Sequence, residues 1–186
     1  FRIGEFWHGP NPPIPAYQAL LEQVRLRGIP IRKVAAGDLI ARGATSIGVL
    51  WPPPAWPTSN LPSNDDSVVM RISHAEATVL LPGDISGRVE QALARSLIPL
   101  ESKLLKVPHH GAKSASSPEL LVRVSPRVAL VSTESGSSGN LPDPEVLDRL
   151  RGVGARVFRT DLHGAITVAM KGSSLSVRTY RTSWGD

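Results

Sequence analysis

The chain has 186 residues, 41% of them hydrophobic and 20% charged, which is enough apolar material for one domain with a sizeable core and too much for a disordered chain. It has no cysteine, which excludes disulfide staples and thiolate metal sites, so any metal would need His, Asp or Glu. No uncharged apolar run reaches the ~18 residues of a membrane span, and 21 Lys plus Arg against 16 Asp plus Glu leave a net charge of +5, as compatible with simple solubility as with a polyanion partner.

The chain opens on Phe1 with no signal-peptide arrangement, and its first residues read as the middle of a fold, so the expectation is one soluble domain over 1–186 cut from something longer. Pro10, Pro12, Pro13 and Pro15 stiffen the chain up to a helix on which Leu20, Leu21 and Val24 recur at helical spacing and which Gly28 stops. "IPIRKV" resumes extended structure, and "TSIGVLWPPPAWP" is a strand entering a rigid loop. "SVVMRIS" and "ATVLLPGD" are apolar strands joined by "HAEA", a hairpin pattern.

Ser86 caps a helix with Val89, Leu93 and Leu97 on one face, and "KLLKV" is the next strand. Ser117-Pro118-Glu119 and Asp143-Pro144-Glu145 each have the cap, proline and early-acid order of a helix start. Between those two helices lie the strand "RVALVST" and the low-complexity stretch "STESGSSGNLP", which reads as a mobile loop. "ARVFRT", "AITVAM" and "LSVRTY" close the chain as strands. Strands alternating with short amphipathic helices define a layered α/β domain.

Two strand ends carry chemistry. In "LLPGDI" Asp84 follows a tight turn at Gly83, where its carboxylate serves either as a cation ligand or as a helix cap. In "KVPHHGAKSASS" the pair His109-His110 follows an apolar strand, and imidazole is both the commonest side-chain metal ligand and a proton shuttle. Strand ends of an α/β sheet converge on one rim, which brings these two segments toward each other and raises the metal reading over the cap. Adjacent strand residues point to opposite faces, so one of the two histidines is expected at the site, with His110 preferred for its position beside Gly111. His8, His74 and His163 stand alone and read as structural or exposed, and Trp7, Trp51 and Trp56 read as packing for stiff loops.

In this order, "NDDSVVMRI", "LLPGDI", "LLKVPHHGAKSASSPELL", "PDPEVLDRL" and "RVFRTDLHGAITV" resemble the C-terminal metallo-β-lactamase-like domain of the ComEC competence proteins, and the resemblance covers nearly the whole chain. It implies an αββα sandwich, here incomplete at its N-terminus, belonging to an inner-membrane DNA-uptake protein and facing the extracytoplasmic side. The family's activity is implied to be a metal-dependent nuclease that degrades the non-transported strand, with manganese or zinc as cofactor and no small-molecule cofactor. Its implied partners are single-stranded DNA and the remainder of the same membrane protein.

The resemblance assigns Asp84 and His110 to metal, and His109 or His110 to protonation of the leaving oxygen. In a complete site Lys106, Lys113, Ser114, Ser116 and Ser117 would contact phosphates beside the reactive one, the alternative being an edge-strand solubility lysine and ordinary loop serines with Ser117 as a helix cap, while Asn64, Asp66 and Gly111 shape the site. The family's early His-rich motif is not in this chain, and Leu141 stands where a histidine is expected, so the piece by itself is expected to be inactive and poor in metal. A catalytically degenerate DNA-binding or structural module, or a metallo-hydrolase of another phosphorylated or small substrate, are the alternatives.

Overall fold

A computed structural model describes residues 2–10, 14–57, 63–134 and 141–181. Its centre is a seven-stranded sheet of order β3-β4-β5-β6-β7-β8-β9. These strands are β3 (Leu39–Arg42), β4 (Thr45–Trp51), β5 (Val69–His74), β6 (Ala77–Leu81), β7 (Leu104–Lys106), β8 (Val128–Val131) and β9 (Arg156–Arg159). Strands β3 to β6 pair antiparallel and β6 to β9 pair parallel. Two small sheets complete the strands: β1 (Phe6–His8) pairs parallel with β2 (Ile31–Lys33), and β10 (Ile166–Lys171) pairs antiparallel with β11 (Ser174–Thr179).

The expected helix α1 (Pro15–Leu26) lies between β1 and β2. Each parallel step of the large sheet is made by one helix: α2 (Gly87–Arg95), α3 (Pro118–Val124) and α4 (Pro144–Gly152). Residues of all three helices pack into one cluster with the sheet, as three successive crossovers of the usual right hand in the same direction require. The main core forms there, from Val69, Leu80, Leu105 and Ala129 of the sheet against Val89, Leu93, Leu120, Leu121, Val146 and Leu150 of the helices. A smaller cluster of Val34, Ile40 and Val49, joined by Ile47 and Met70, sits on the opposite face.

Local sequence explains the helix starts. Ser86, Ser117 and Asp143 are N-caps whose side chains accept the backbone N–H of Arg88, Leu120 and Glu145. The hairpin expected over "SVVMRIS" and "ATVLLPGD" is present as β5 and β6, with Ala75 at its tip at φ 49°. Strands β1 and β3 were not expected. Of the proline-rich start, residues 11–13 lie outside the described residues, as do 135–140 of the serine-glycine loop.

This topology sets the location of the chemistry. The C-terminal ends of β6, β7, β8 and β9 all reach one rim, and Trp51 at the end of β4 and the turn before β5 reach the same rim, because β4 runs with β6 and β5 runs against it.

Candidate metal and nucleic-acid site

One correction concerns the histidines. Strand β7 stops at Lys106, and His109 and His110 occupy a left-handed turn rather than a strand, with φ, ψ of 45°, 42° and 54°, 17°. The strand argument for separating them therefore does not apply, yet the turn separates them in its own way. His109 Nε2 lies 3.3 Å from the Asn64 amide nitrogen, which donates to it. His110 Nδ1 lies 2.7 Å from the Ser132 carbonyl oxygen. A carbonyl only accepts, so Nδ1 carries the hydrogen, and the neutral ring keeps its lone pair on Nε2. That nitrogen is 3.4 Å from Asp84 Oδ2. Two electron-pair donors thus converge, an arrangement that a divalent cation or a proton between them resolves.

The turn needs support because non-glycine residues in the left-handed region each cost about 1–2 kcal/mol. The His109 N–H bonds the Gly83 carbonyl at 3.2 Å, tying the turn to the Asp84 segment. Gly83 has φ 67°, and a Cβ there would lie 2.7 Å from Ser67 Cβ. That close approach lets Ser67 Oγ accept the Asp84 N–H at 3.2 Å. Gly111 has φ 80°, and a Cβ would lie 2.6 Å from Pro142 Cβ. Position 141 therefore stands next to the turn, and the Leu141 carbonyl accepts Thr133 Oγ1 at 3.1 Å.

Lys106 Nζ lies 3.5 Å from Asp84 Oδ1, so one carboxylate oxygen faces a lysine and the other a histidine. Asp84 does not cap α2, since Ser86 does. Among the described residues no three His, Asp or Glu side chains are grouped to hold a metal. Asp84 and His110 are donors of the right chemistry for manganese or zinc, and the hydrogen bond from Nδ1 to Ser132 orients His110 as a ligand's outer bond does. They are two donors where a catalytic zinc site takes three from the protein.

The serine-lysine loop divides. Lys113 is exposed but ion-paired with Glu145 at 2.9 Å, which raises its pKa, and Ser114 is exposed. Ser116 is fully buried, which corrects its assignment to phosphate: its hydroxyl has no access to a polyanion. The Ser117 side chain is used in capping α3.

Asn64, Asp65 and Asp66 form a short 3-10 turn. Asp66 accepts the Ser63 N–H at 2.8 Å and Trp56 Nε1 at 2.7 Å, so its carboxylate is used in shaping the loop. The neighbour that sequence reading passed over is Asp65, which is buried and accepts the Ser86 N–H at 2.9 Å and Arg88 Nη2 at 3.1 Å. Burial pushes its carboxyl upward, but these bonds from Ser86 and Arg88 outweigh burial and hold it below the usual carboxylate range. Arg88 also lies over the Trp56 ring at 5.5 Å, and Trp56 meets Trp51 edge-on at 4.7 Å.

Thr160, at the end of β9, was likewise missed. It exchanges hydrogen bonds with the backbone of Thr133, next to the Ser132 carbonyl that orients His110. A run "NDD" shows that a turn is present but not which carboxylate turns inward, and a backbone carbonyl leaves no trace in residue identity.

The described residues form a mixed α/β fold around a central mixed sheet, and comparison with solved structures places that fold with the metallo-β-lactamase-like domains. The solved structure of CmlA, a diiron beta-hydroxylase from Streptomyces venezuelae, shares that fold with a TM-score of 0.52 over 96% of this chain and 40% of that one, at 12% identity. Sequence relatives narrow the class. The chain is 28% identical over 157 residues, 84% of its length, to ComE operon protein 3 of Bacillus subtilis. It is 31% identical over 121 residues, 65% of its length, to Recombination protein 2 of Haemophilus influenzae. It is also 30% identical over 129 residues, 67% of its length, to Competence protein ComA of Neisseria gonorrhoeae. The chain belongs to the ComEC family of competence proteins. It spans between 15% and 20% of the length of these relatives. No protein-family model matches the sequence.

Proposed function

We propose that the chain is the part of a DNA-uptake membrane protein that carries a metal-dependent phosphodiesterase site and degrades the DNA strand that is not transported. The observation that carries this reading is His110 Nε2 facing an Asp84 oxygen at 3.4 Å, with the other ring nitrogen 2.7 Å from the Ser132 carbonyl oxygen. A divalent cation held there, manganese or zinc, would lower the pKa of a bound water and offset charge on the attacked phosphate. Asp84 contributes the anionic donor and His110 the neutral one. Lys106 offers a cation to a phosphate beside Asp84, and Lys113 and Ser114 lie along the loop that continues from the histidine turn. His109, whose Nε2 accepts from the Asn64 amide, stands on the same rim and is assigned the proton for the departing oxygen. The remaining metal donors are assigned to a segment of the longer protein outside these 186 residues. No helix among the described residues is long and apolar enough to cross a membrane.

Two observations favour a second reading, in which the domain holds single-stranded DNA without cutting it. Leu141 cannot ligate a metal, and the Lys106 ammonium already pairs with Asp84.

The test is manganese-dependent cleavage of an end-labelled single-stranded oligonucleotide by the full-length protein. Cleavage is expected, and Asp84→Asn and His110→Ala should each abolish it while leaving oligonucleotide affinity almost unchanged. The isolated 186-residue chain should bind manganese weakly and cleave nothing. Absence of cleavage with manganese and with zinc, or cleavage indifferent to both substitutions, sinks the nuclease reading and leaves the binding one.

A further inference from the structure

Glu90 of α2 is fully buried, and nothing in the proposed chemistry uses it. Its two carboxylate oxygens accept the backbone N–H groups of Ser116 and Ser117 at 2.7 and 2.6 Å. From α4, Arg149 approaches the same loop with the opposite charge. Its Nε donates to the Ser116 carbonyl at 3.1 Å, and its Nη2 to the carbonyls of Ala115 and Lys113, each at 2.9 Å. An anion therefore binds the loop's amides while a cation binds its carbonyls. Ser116 sits between them with φ 58°, a conformation that must be held from outside.

The loop continues directly from the histidine turn. The Ala112 N–H bonds the His109 carbonyl at 2.9 Å, the Ala115 N–H bonds the Ala112 carbonyl at 2.7 Å, and the Asp143 N–H bonds the Gly111 carbonyl at 2.9 Å. Hydrogen bonding thus runs unbroken from the two left-handed histidines to the two serines in the clamp. A leucine in place of Glu90 would fill the volume without desolvating a carboxylate, but it would strand two amides. Burial pushes the Glu90 carboxyl upward and outweighs the opposing pull of the Ser117 and Ser116 N–H groups and of Arg149.

We infer that Glu90 and Arg149 are positioning residues that act through residues 112–117 to keep His109-His110-Gly111 in its left-handed turn, and so aim the His110 ring between Ser132 and Asp84. The inference builds on the proposed role of Asp84 and His110 as metal donors, but its own readout does not need metal.

The test uses nitrogen-15 NMR on the whole chain. In the parent, the His110 ring should show the Nδ1–H tautomer, and the Ser116 and Ser117 amides should exchange slowly. Glu90→Gln sets an NH2 group against one of the two amides. That amide should exchange at least about tenfold faster, and the His110 ring signals should move toward an average of both tautomers. Arg149→Lys keeps the charge at a partly exposed position but reaches fewer carbonyls, and it should shift His110 in the same direction by less. A Glu90→Gln chain with a lower melting temperature and an unchanged His110 ring would overturn the inference, leaving Glu90 as a packing residue. If Glu90→Gln does not fold, Arg149→Lys decides by the same ring signal. Manganese is titrated separately, up to concentrations at which even the weak binding expected of this chain broadens a signal: failure to broaden the parent's His110 signal there counts against the metal reading, whereas an unmoved ring in the variants counts against the clamp whatever manganese does.

Discussion

The two rims of the large sheet use polar residues in different ways. At the rim made by the C-terminal ends of the parallel strands, side chains reach across elements: His110 to Asp84 and Ser132, Asn64 to His109, Asp65 to Ser86 and Arg88, Thr160 to Thr133. The opposite rim holds a groove of about 670 Å³ lined by Arg71, Lys103, Arg127 and Arg156 with Glu76 and Glu101. Three of these four cations are used locally, Lys103 on Glu76 at 3.7 Å, Arg71 on the Glu101 carbonyl and Arg156 over the Phe158 ring at 5.3 Å. The left-handed residues at that end, Ala75 and Ser125, are a hairpin tip and a helix C-cap, ordinary chain reversals. The left-handed pair at the first rim instead carries two imidazoles. Positive charge is thus a poor guide to the chemistry: the arginine-rich groove lies at one end of the sheet, and the converging donors lie at the other.

The comparison breaks most readily at Gly111. Alanine there needs φ 80° and a Cβ 2.6 Å from that of Pro142, so Gly111→Ala should destabilise the chain by about 2–3 kcal/mol in urea unfolding. A loss below about 0.5 kcal/mol would show that the histidine turn repacks freely and is no more constrained than the opposite rim.

Asp65 comes next. Asp65→Asn should cost about 1–3 kcal/mol at neutral pH, because a buried acceptor of two donors is weakened. Its folded carboxyl lies below the ordinary value of 3.8, so its contribution is present above that value and is lost as pH falls through the lower, folded one. Parent and variant should therefore converge in stability on acidification. A gap that stays constant into the acid range would show that shape rather than charge holds the rim together there.

The smallest effect sharpens the comparison for DNA. Lys106→Ala should weaken single-stranded oligonucleotide binding at low salt and make its salt dependence shallower by roughly one phosphate contact, while Lys103→Ala on the other rim should change neither. Fluorescence titrations at several salt concentrations check both. An equal loss from the two substitutions would mean that the strand is held by diffuse charge rather than along the histidine rim.

Much of the architecture was legible because its causes are local. Ser86, Ser117 and Asp143 could be read as caps since a cap acts within three residues, and the β5–β6 hairpin announced itself through two apolar runs and a polar turn. Strand β1 is three residues long, and β3 has a single buried residue, Ile40, so neither carries a periodic signal of its own and both form through their partners.

The chain's linear order determined on its own that an aspartate and a histidine pair would end successive apolar segments, because hydrophobic runs, turn glycines and helix caps are written in adjacent residues. Tertiary structure decided what those groups do. It bent the histidines into a left-handed turn, gave His109 to Asn64 and His110 to Asp84, and buried Ser116. It also recruited Asp65, Glu90, Arg149 and Thr160 from elements distant in sequence. These are contacts across 20 or more residues, set by which strand ends share a rim, and a side chain's partner at that distance is chosen by the folded backbone rather than by its neighbours in the chain.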